Sequence, residues 1–172
     1  MTNYPTPSLR RRLICMMYES FLLFGVIFIS AMLFDVLTSS KHALTLRHAR
    51  MAWIFLAIGA YFYYFWMRGG QTLAMKTWRI QLSKKDGSPL DHKAAVLRYV
   101  GAWMWFIPAL ALNAAFSLKE WSSIIAILIG FCAWALLVYL DPQRQFAHDR
   151  MAGTRLNELP KPLSNAKTTE AD

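Results

Sequence analysis

The sequence predicts an all-α membrane protein, a bundle of four transmembrane helices with a short β-hairpin-like loop on the cytoplasmic side between helices 2 and 3. The first observation is composition: 56% of the 172 residues are hydrophobic and 17% are charged, against about 45–50% and about 25% in soluble globular domains. The second is that four long stretches carry almost no charge. Together they exclude an ordinary soluble domain.

The four apolar runs are each close in length to the roughly 20 residues that a helix needs to cross a bilayer. They comprise residues 13–34, 51–67, 99–118 and 121–140. Backbone N–H and C=O groups in hydrocarbon must be bonded within their own segment, so we expect each run to be helical. The third and fourth runs are separated only by Lys119 and Glu120, which predicts a tight helical hairpin.

The first run has an alternative interpretation as a cleaved signal peptide, because Arg10, Arg11 and Arg12 precede it. It is longer than the roughly 7–15 apolar residues typical of such peptides, and no small-x-small cleavage pattern follows it. A retained helix is therefore favoured.

Basic residues are unevenly distributed between the runs. The N-terminal arm holds 3, segment 68–98 holds 7 and the part after Leu140 holds 5, whereas loop 35–50 holds 3 and the turn at Lys119 holds 1. Cytoplasmic loops are enriched in Lys and Arg, so this distribution of 15 against 4 predicts that both termini and the central loop are cytoplasmic. We expect this face to meet anionic lipid headgroups of the bilayer, and we expect no binding to nucleic acid despite the net charge of +9.

The segment between the second and third runs contains several local signals. Gly69 and Gly70 are predicted to end the second helix. Apolar and polar residues alternate over 78–83, and Asp86-Gly87 follows, which predicts a strand leading into a tight turn whose edge another chain can join. Asp91 is a predicted N-cap of a helix that continues into the third span.

The membrane domain is expected to cover residues 9–156. The remaining residues, 157–172, are polar and contain Pro160 and Pro162. Such a composition cannot bury enough apolar surface to fold, so we predict a disordered cytoplasmic tail, beginning as early as Leu156.

Glu19 is a carboxylate inside the first apolar run. It follows Arg12 by seven residues, which places both on nearly the same helix face, with Glu19 roughly 10 Å deeper. A carboxylate at membrane depth is costly and is usually paired, protonated or directed at a cavity. Glu19 is therefore expected either to neutralise an arginine or accept hydrogen bonds within the bundle, or to bind a proton or cation.

His148 and Asp149 follow the fourth run and form a pair that could titrate near neutral pH. Catalysis also needs a nucleophile and an oxyanion site, and the sequence contains no motif for either. We therefore expect no enzyme activity, no catalytic residues, no cofactor and no metal site. The ordinary role of Asp149 is to pair with an arginine at a helix entrance.

Several short motifs, in this order and spacing, resemble the RDD family of small bacterial membrane proteins, named for one arginine and two aspartates. The similarity covers about residues 9–156. Its carriers are Arg12 with an acid seven residues later, 69–73 (Gly-Gly-Gln-Thr-Leu), Asp86-Gly87, Arg98, His148-Asp149-Arg150 and Gly153-Thr154-Arg155.

The resemblance implies that Arg12 is the family arginine and Asp149 the second aspartate. Glu19 occupies the position of the first aspartate, which keeps the carboxylate with one more methylene. It also implies a location in the bacterial inner membrane. The family has no settled molecular function, although transport has been proposed and cation/proton antiport has been attributed to some members.

Two functions remain open at this stage. One is a transporter or transport component in which Glu19 exchanges a proton or cation and Arg12 or Arg98 sets its charge state. Four spans are few for such a carrier, so a homo-oligomer is expected. The other is a non-transporting scaffold, assembly factor or regulator that binds anionic lipid or a partner protein through its basic face. The residues of interest are Arg12, Glu19, Arg98, His148 and Asp149.

Overall fold

The computed structural model describes residues 4–39, 46–116, 121–141 and 145–160. This part of the chain is mostly helical. Its elements are α1 (Leu9–Thr38), α2 (Arg47–Gly69), α3 (Leu73–Thr77), β1 (Ile80–Lys84), α4 (His92–Ala102), α5 (Phe106–Phe116), α6 (Trp121–Leu136), α7 (Ala147–Met151) and β2 (Thr154–Glu158). One 3₁₀ turn, Trp103–Trp105, joins α4 to α5, and another, Leu137–Leu140, extends α6.

Among the described residues, two helical segments are long and apolar enough to cross a membrane. They are α1, with 30 residues, and Trp121–Leu140, with 20 residues. Both direct apolar side chains outwards: Phe21 and Phe24 of α1 are 72% and 71% exposed, and Ile129 of α6 is 60% exposed. Such surfaces suit hydrocarbon rather than water. The first and fourth predicted runs are therefore candidate membrane helices.

The second and third runs take a different form, so the predicted bundle of four spans is only partly confirmed. The second run lies within α2, which has 23 residues but carries Arg47 and Arg68 at its ends and several tyrosines between them. The third run is divided between the end of α4, the 3₁₀ turn and α5, which has 11 residues. Pro108 lies in the first turn of α5 and has no N–H to continue a helix from α4, which explains the break.

The predicted helix boundaries at Gly70 and Asp91 are confirmed. Gly70 adopts a left-handed conformation, with φ of 68°, and its N–H donates to the carbonyl of Trp66 at 2.9 Å. The Asp91 carboxylate accepts the N–H of Ala94 at 2.8 Å and so caps α4. Both boundaries follow from the local preferences of glycine and aspartate at helix ends.

The predicted β-hairpin is wrong, because β1 pairs with β2 rather than with residues directly after its turn. The register of this antiparallel pair places Ile80 opposite Glu158 and Leu82 opposite Leu156. The Asp86-Gly87 turn does form, and the N–H of Gly87 donates to the carbonyl of Lys84 at 3.0 Å. The chain then enters α4 instead of a return strand.

The prediction of a disordered tail is wrong for residues 156–158, which belong to β2. Leu156 is buried in one core cluster with Ile80 and Leu82, and this apolar contact outweighs the polar composition of its neighbours. The rest of the predicted tail from residue 161 lies outside the described residues.

Several backbone N–H groups that point outwards from the two-stranded sheet already donate to other described segments, contrary to the sequence-based expectation of an open edge for strand addition. On β1, the N–H of Leu82 donates to Gly70 and that of Lys84 to Ser88, at 2.8 and 3.0 Å. On β2, the N–H of Glu158 donates to the carbonyl of Pro5 at 2.8 Å. These bonds occupy groups that another chain would need.

The sheet lies in a compact unit at one end of the molecule, formed by residues 70–91 and 145–160, which we call the cap. The N-terminal arm joins the cap through an ion pair between Arg11 and Glu158. The other end of α1 is distinct, since Asp35 there pairs with Arg50 of α2. Parts of three basic segments, the N-terminal arm, segment 68–98 and the part after Leu140, therefore meet at the same end of α1.

Replacing Gly70 by alanine should destabilise the cap. The left-handed backbone alone costs about 1–2 kcal/mol for a residue with a Cβ, and that Cβ would also overlap the carbonyl oxygen of Leu82. Gly87 is a matched control, because its φ is 84° but a Cβ there meets nothing within 4 Å. The thermal midpoint of the detergent-solubilised protein should fall further for Gly70→Ala than for Gly87→Ala; equal shifts would show that the overlap has no effect.

Candidate functional site

A cavity of about 300 Å³ lies between α1, α2, α4, α6 and the cap. Four of the five residues singled out from the sequence line it: Arg12, Glu19, Arg98 and His148. All five are buried, and Asp149, at 0% exposure, lies next to His148 in α7. The structure therefore brings together residues that are up to 137 positions apart (12 to 149).

Arg98 and Asp149 form a buried ion pair between α4 and α7. Thr154 at the start of β2 supports it, because its hydroxyl donates to the Asp149 carbonyl at 3.2 Å and lies 3.5 Å from Nη1 of Arg98. The Arg98 guanidinium also lies over the ring of Trp66, 5.0 Å from its centre. The expectation that Asp149 pairs with an arginine at a helix entrance is confirmed.

His148 stacks nearly parallel to two aromatic rings, with centroids 5.6 Å from Trp134 and 5.6 Å from Phe146. Its Nε2 lies 3.5 Å from Asp149 Oδ1. Burial, followed by the positive charges of Arg98 and Arg12, holds the pKa of His148 well below its usual range. Protonation of the ring is therefore disfavoured, whereas the sequence-based expectation was a pair that titrates near neutral pH.

Glu19 accepts hydrogen bonds from two neutral hydroxyl groups. Tyr61 of α2 donates to Oε1 at 2.6 Å, and Thr72 donates to Oε2. Thr72 also caps α3, where its hydroxyl accepts the N–H of Met75 at 3.2 Å. Within the described residues no Lys or Arg forms an ion pair with Glu19. Of the roles expected for Glu19, hydrogen bonding within the bundle is the one present, and Arg12 is not its partner.

Arg12 lies in the first turn of α1 and is only 2% exposed. Its guanidinium stands over the ring of Phe146, 4.7 Å from the centre, in cation–π geometry. Its Nε and Nη1 atoms are buried and contact no hydrogen-bond acceptor in the described part of the chain. Arg12 is thus a buried cation whose contacts are mainly aromatic.

The sequence model of the RDD family matches residues 6–153, which is most of the chain. The chain belongs to the RDD family. No curated protein and no solved structure matches it. RDD family membership and the two apolar helices together indicate a membrane protein.

The site of this RDD-family protein contains partners that the sequence analysis did not identify. They are Tyr61, Trp66, Thr72, Trp134 and Phe146. One signal was available for Thr72, since threonine directly before a short helix is a common N-cap. The aromatic residues lie in or beside apolar runs, where nothing local distinguishes a side chain facing lipid from one facing a buried cation.

Proposed function

We propose that this RDD-family protein is a multi-pass protein of the bacterial inner membrane that acts as a transporter or transport component and exchanges a proton or cation through Glu19. The observation that carries the proposal is the environment of that carboxylate. It lies in a candidate membrane helix, lines the cavity and is held by hydroxyl groups rather than by a basic side chain.

The hydrogen-bond partners of Glu19 are uncharged, and this favours the exchange of a proton or cation at its carboxylate. A carboxylate in a buried ion pair must break that pair before it takes up a proton or cation, which is costly. The hydroxyls of Tyr61 and Thr72 can rotate and act either as donors or as acceptors. They can therefore follow a change in the charge of Glu19 without leaving a buried charge unpaired.

The proposed topology has four crossings, with both termini and the cap on the cytoplasmic side. It is supported by the 15 basic residues outside loop 35–50 and the Lys119 turn, against 4 within them. The meeting of the N-terminal arm with the cap is the arrangement that this topology requires. Because four helices enclose little space for a pathway, we further propose that two or more copies assemble.

Glu19→Gln should abolish cation-driven proton movement. Purified protein is reconstituted into sealed vesicles that contain a pH-sensitive dye, and a sodium or potassium gradient is imposed. The interior pH should change faster in vesicles that contain the wild-type protein than in protein-free vesicles. The rate for Glu19→Gln should match the protein-free rate, because its amide neither binds a proton nor exchanges a cation at neutral pH.

The matched control is Asp35→Asn, which removes a carboxylate at the far end of the same helix, where Asp35 pairs with Arg50. This variant should retain the wild-type rate, and Glu19→Asp should retain part of it. Undiminished flux in Glu19→Gln, or a wild-type rate equal to that of empty vesicles for both cations, would refute the transport assignment.

The alternative role is a non-transporting scaffold or regulator that binds anionic lipid or a partner protein. Lys85 and Lys93 are exposed and support it, whereas Lys84 is already paired with Asp91 at 2.8 Å. The occupied N–H groups of Leu82, Lys84 and Glu158 disfavour binding of a partner by strand addition. The same vesicle experiment separates the two roles, because a scaffold requires no flux from the wild-type protein.

A further inference from the structure

We propose that the cavity binds the anionic group of an amphiphile, a carboxylate or phosphate attached to an acyl chain, and that Arg12 is its principal ligand. This site goes beyond the proposed exchange at Glu19 and does not depend on it. Three properties of the cavity support this assignment: its excess of hydrogen-bond donors, its apolar wall and the position of Arg12 along α1.

The cavity is lined by side chains that have donors without acceptors. Buried nitrogen atoms of four lining residues contact no acceptor among the residues described: Nε and Nη1 of Arg12, Nε of Arg98, and Nε1 of Trp66 and Trp134. A buried guanidinium without acceptors is costly. Carboxylate and phosphate oxygens form strong, charge-assisted bonds with such donors.

The acids close to the cavity are already engaged. Both oxygens of Glu19 accept hydroxyl hydrogen bonds, and Asp149 pairs with Arg98. Among the described residues, neither acid forms an ion pair with Arg12. Among the described residues the Arg12 guanidinium stands over the face of Phe146, and a cation–π contact of this kind contributes less than a charged hydrogen bond.

The rest of the wall is apolar and includes Leu23, Ile58, Phe62 and Phe106. A free inorganic anion would satisfy Arg12 but leave this wall uncovered, whereas an acyl chain covers it. A volume of about 300 Å³ is at the lower end of the range for small-molecule pockets. Arg12 lies in the first turn of α1, a candidate membrane helix, and basic pockets between membrane helices bind lipid headgroups.

The test measures binding to the purified wild-type protein in neutral detergent. Trp66 and Trp134 line the cavity, so 9,10-dibromostearate should quench tryptophan fluorescence saturably as it binds. Unlabelled oleate and dioleoylphosphatidylglycerol should reverse the quenching. Methyl oleate, dioleoylphosphatidylcholine and inorganic phosphate should not, since each lacks either the net charge or the chain.

Two substitutions locate the binding group. Arg12→Gln should weaken dibromostearate binding roughly tenfold or more, as expected for the loss of a charge-assisted hydrogen bond. Arg10→Gln is the matched control, because it removes the same charge from the same helix end at an exposed position, and it should bind like wild type. Glu19→Gln should also retain binding, which separates this proposal from the one on exchange.

The competition experiment tests the binding of an anionic amphiphile even if Arg12→Gln does not fold, because it uses only the wild-type chain. Displacement by methyl oleate as effective as by oleate would show an apolar pocket without anion recognition. Displacement by inorganic phosphate as effective as by the amphiphiles would show a site for the free anion. Either result, or unchanged binding to a folded Arg12→Gln protein, would overturn the proposal.

Discussion

Asp149→Ala should lower the free energy of unfolding by about 3–5 kcal/mol, because it leaves the buried guanidinium of Arg98 without its counter-charge. Both side chains are buried, and the pair joins α4 to α7. For a chain of this length, each kcal/mol corresponds to a shift of about 2–4 °C in thermal midpoint. The shift can be measured by the loss of monodisperse protein in detergent after heating.

Asp141→Asn is the matched control for this ion pair. Asp141 lies 3.4 Å from Arg150, whose side chain is 70% exposed. The Asp141 side chain is 14% exposed and accepts the N–H of Gln145 at 2.9 Å, a bond that the asparagine oxygen can keep. An ion pair with one exposed partner contributes about 0–1 kcal/mol, so the control should change the midpoint little. The double variant Arg98→Met/Asp149→Leu should recover much of the loss, since it removes both charges and keeps apolar volume. A double variant as unstable as the sum of the single ones would contradict this account.

Ending the chain after Gly153 should prevent the cap from folding. The truncation removes β2 and exposes Ile80 and Leu82, which are buried in the same core cluster as Leu156. Burial of each such side chain contributes about 1.5–3 kcal/mol, and three of them are comparable with the net stability of a small protein. It also removes Thr154, which contacts both members of the Arg98–Asp149 pair.

The control is a chain that ends after Pro160, which keeps the whole of β2. Yield of monodisperse protein from detergent-solubilised membranes should be near wild type for the control and near zero for the shorter chain. Cleavage by trypsin at Lys84 and Lys85 should become rapid only in the shorter chain. Equal yields and equal cleavage would show that β2 is dispensable.

Helix ends and the first strand were predictable because their signals are local. Gly70 and Asp91 act through their own backbone preferences, and the alternation over 78–83 marks β1 without reference to any other segment. The partner of β1 was not predictable in this way. It lies 78 positions further along, from Ile80 to Glu158, and Thr-Arg-Leu-Asn-Glu contains a single apolar residue.

The charged residues of the site were predictable because they lie within or beside apolar runs. Arg12, Glu19, Arg98 and Asp149 stand out because buried charges are rare near apolar runs. Their partners were not predictable from the chain alone. Which arginine pairs with Asp149, and whether Glu19 contacts Arg12 or hydroxyl groups, depends on how four helices and the cap are placed in space.

The pairing of β1 with β2 also imposes a parity rule on the path of the chain. Two paired strands must lie on the same side of a membrane, so the chain between Lys84 and Thr154 crosses an even number of times. If Trp121–Leu140 is one crossing, the segment through α4 and α5 has to supply another. Arg11 pairs with Glu158 of β2 and therefore lies on the same side of the membrane as β1. The chain between Arg11 and β1 must then also cross an even number of times: if α1 crosses outwards, α2 has to return. If this small sheet lies outside the bilayer, its pairing makes the number of passes between Arg11 and Thr154 even.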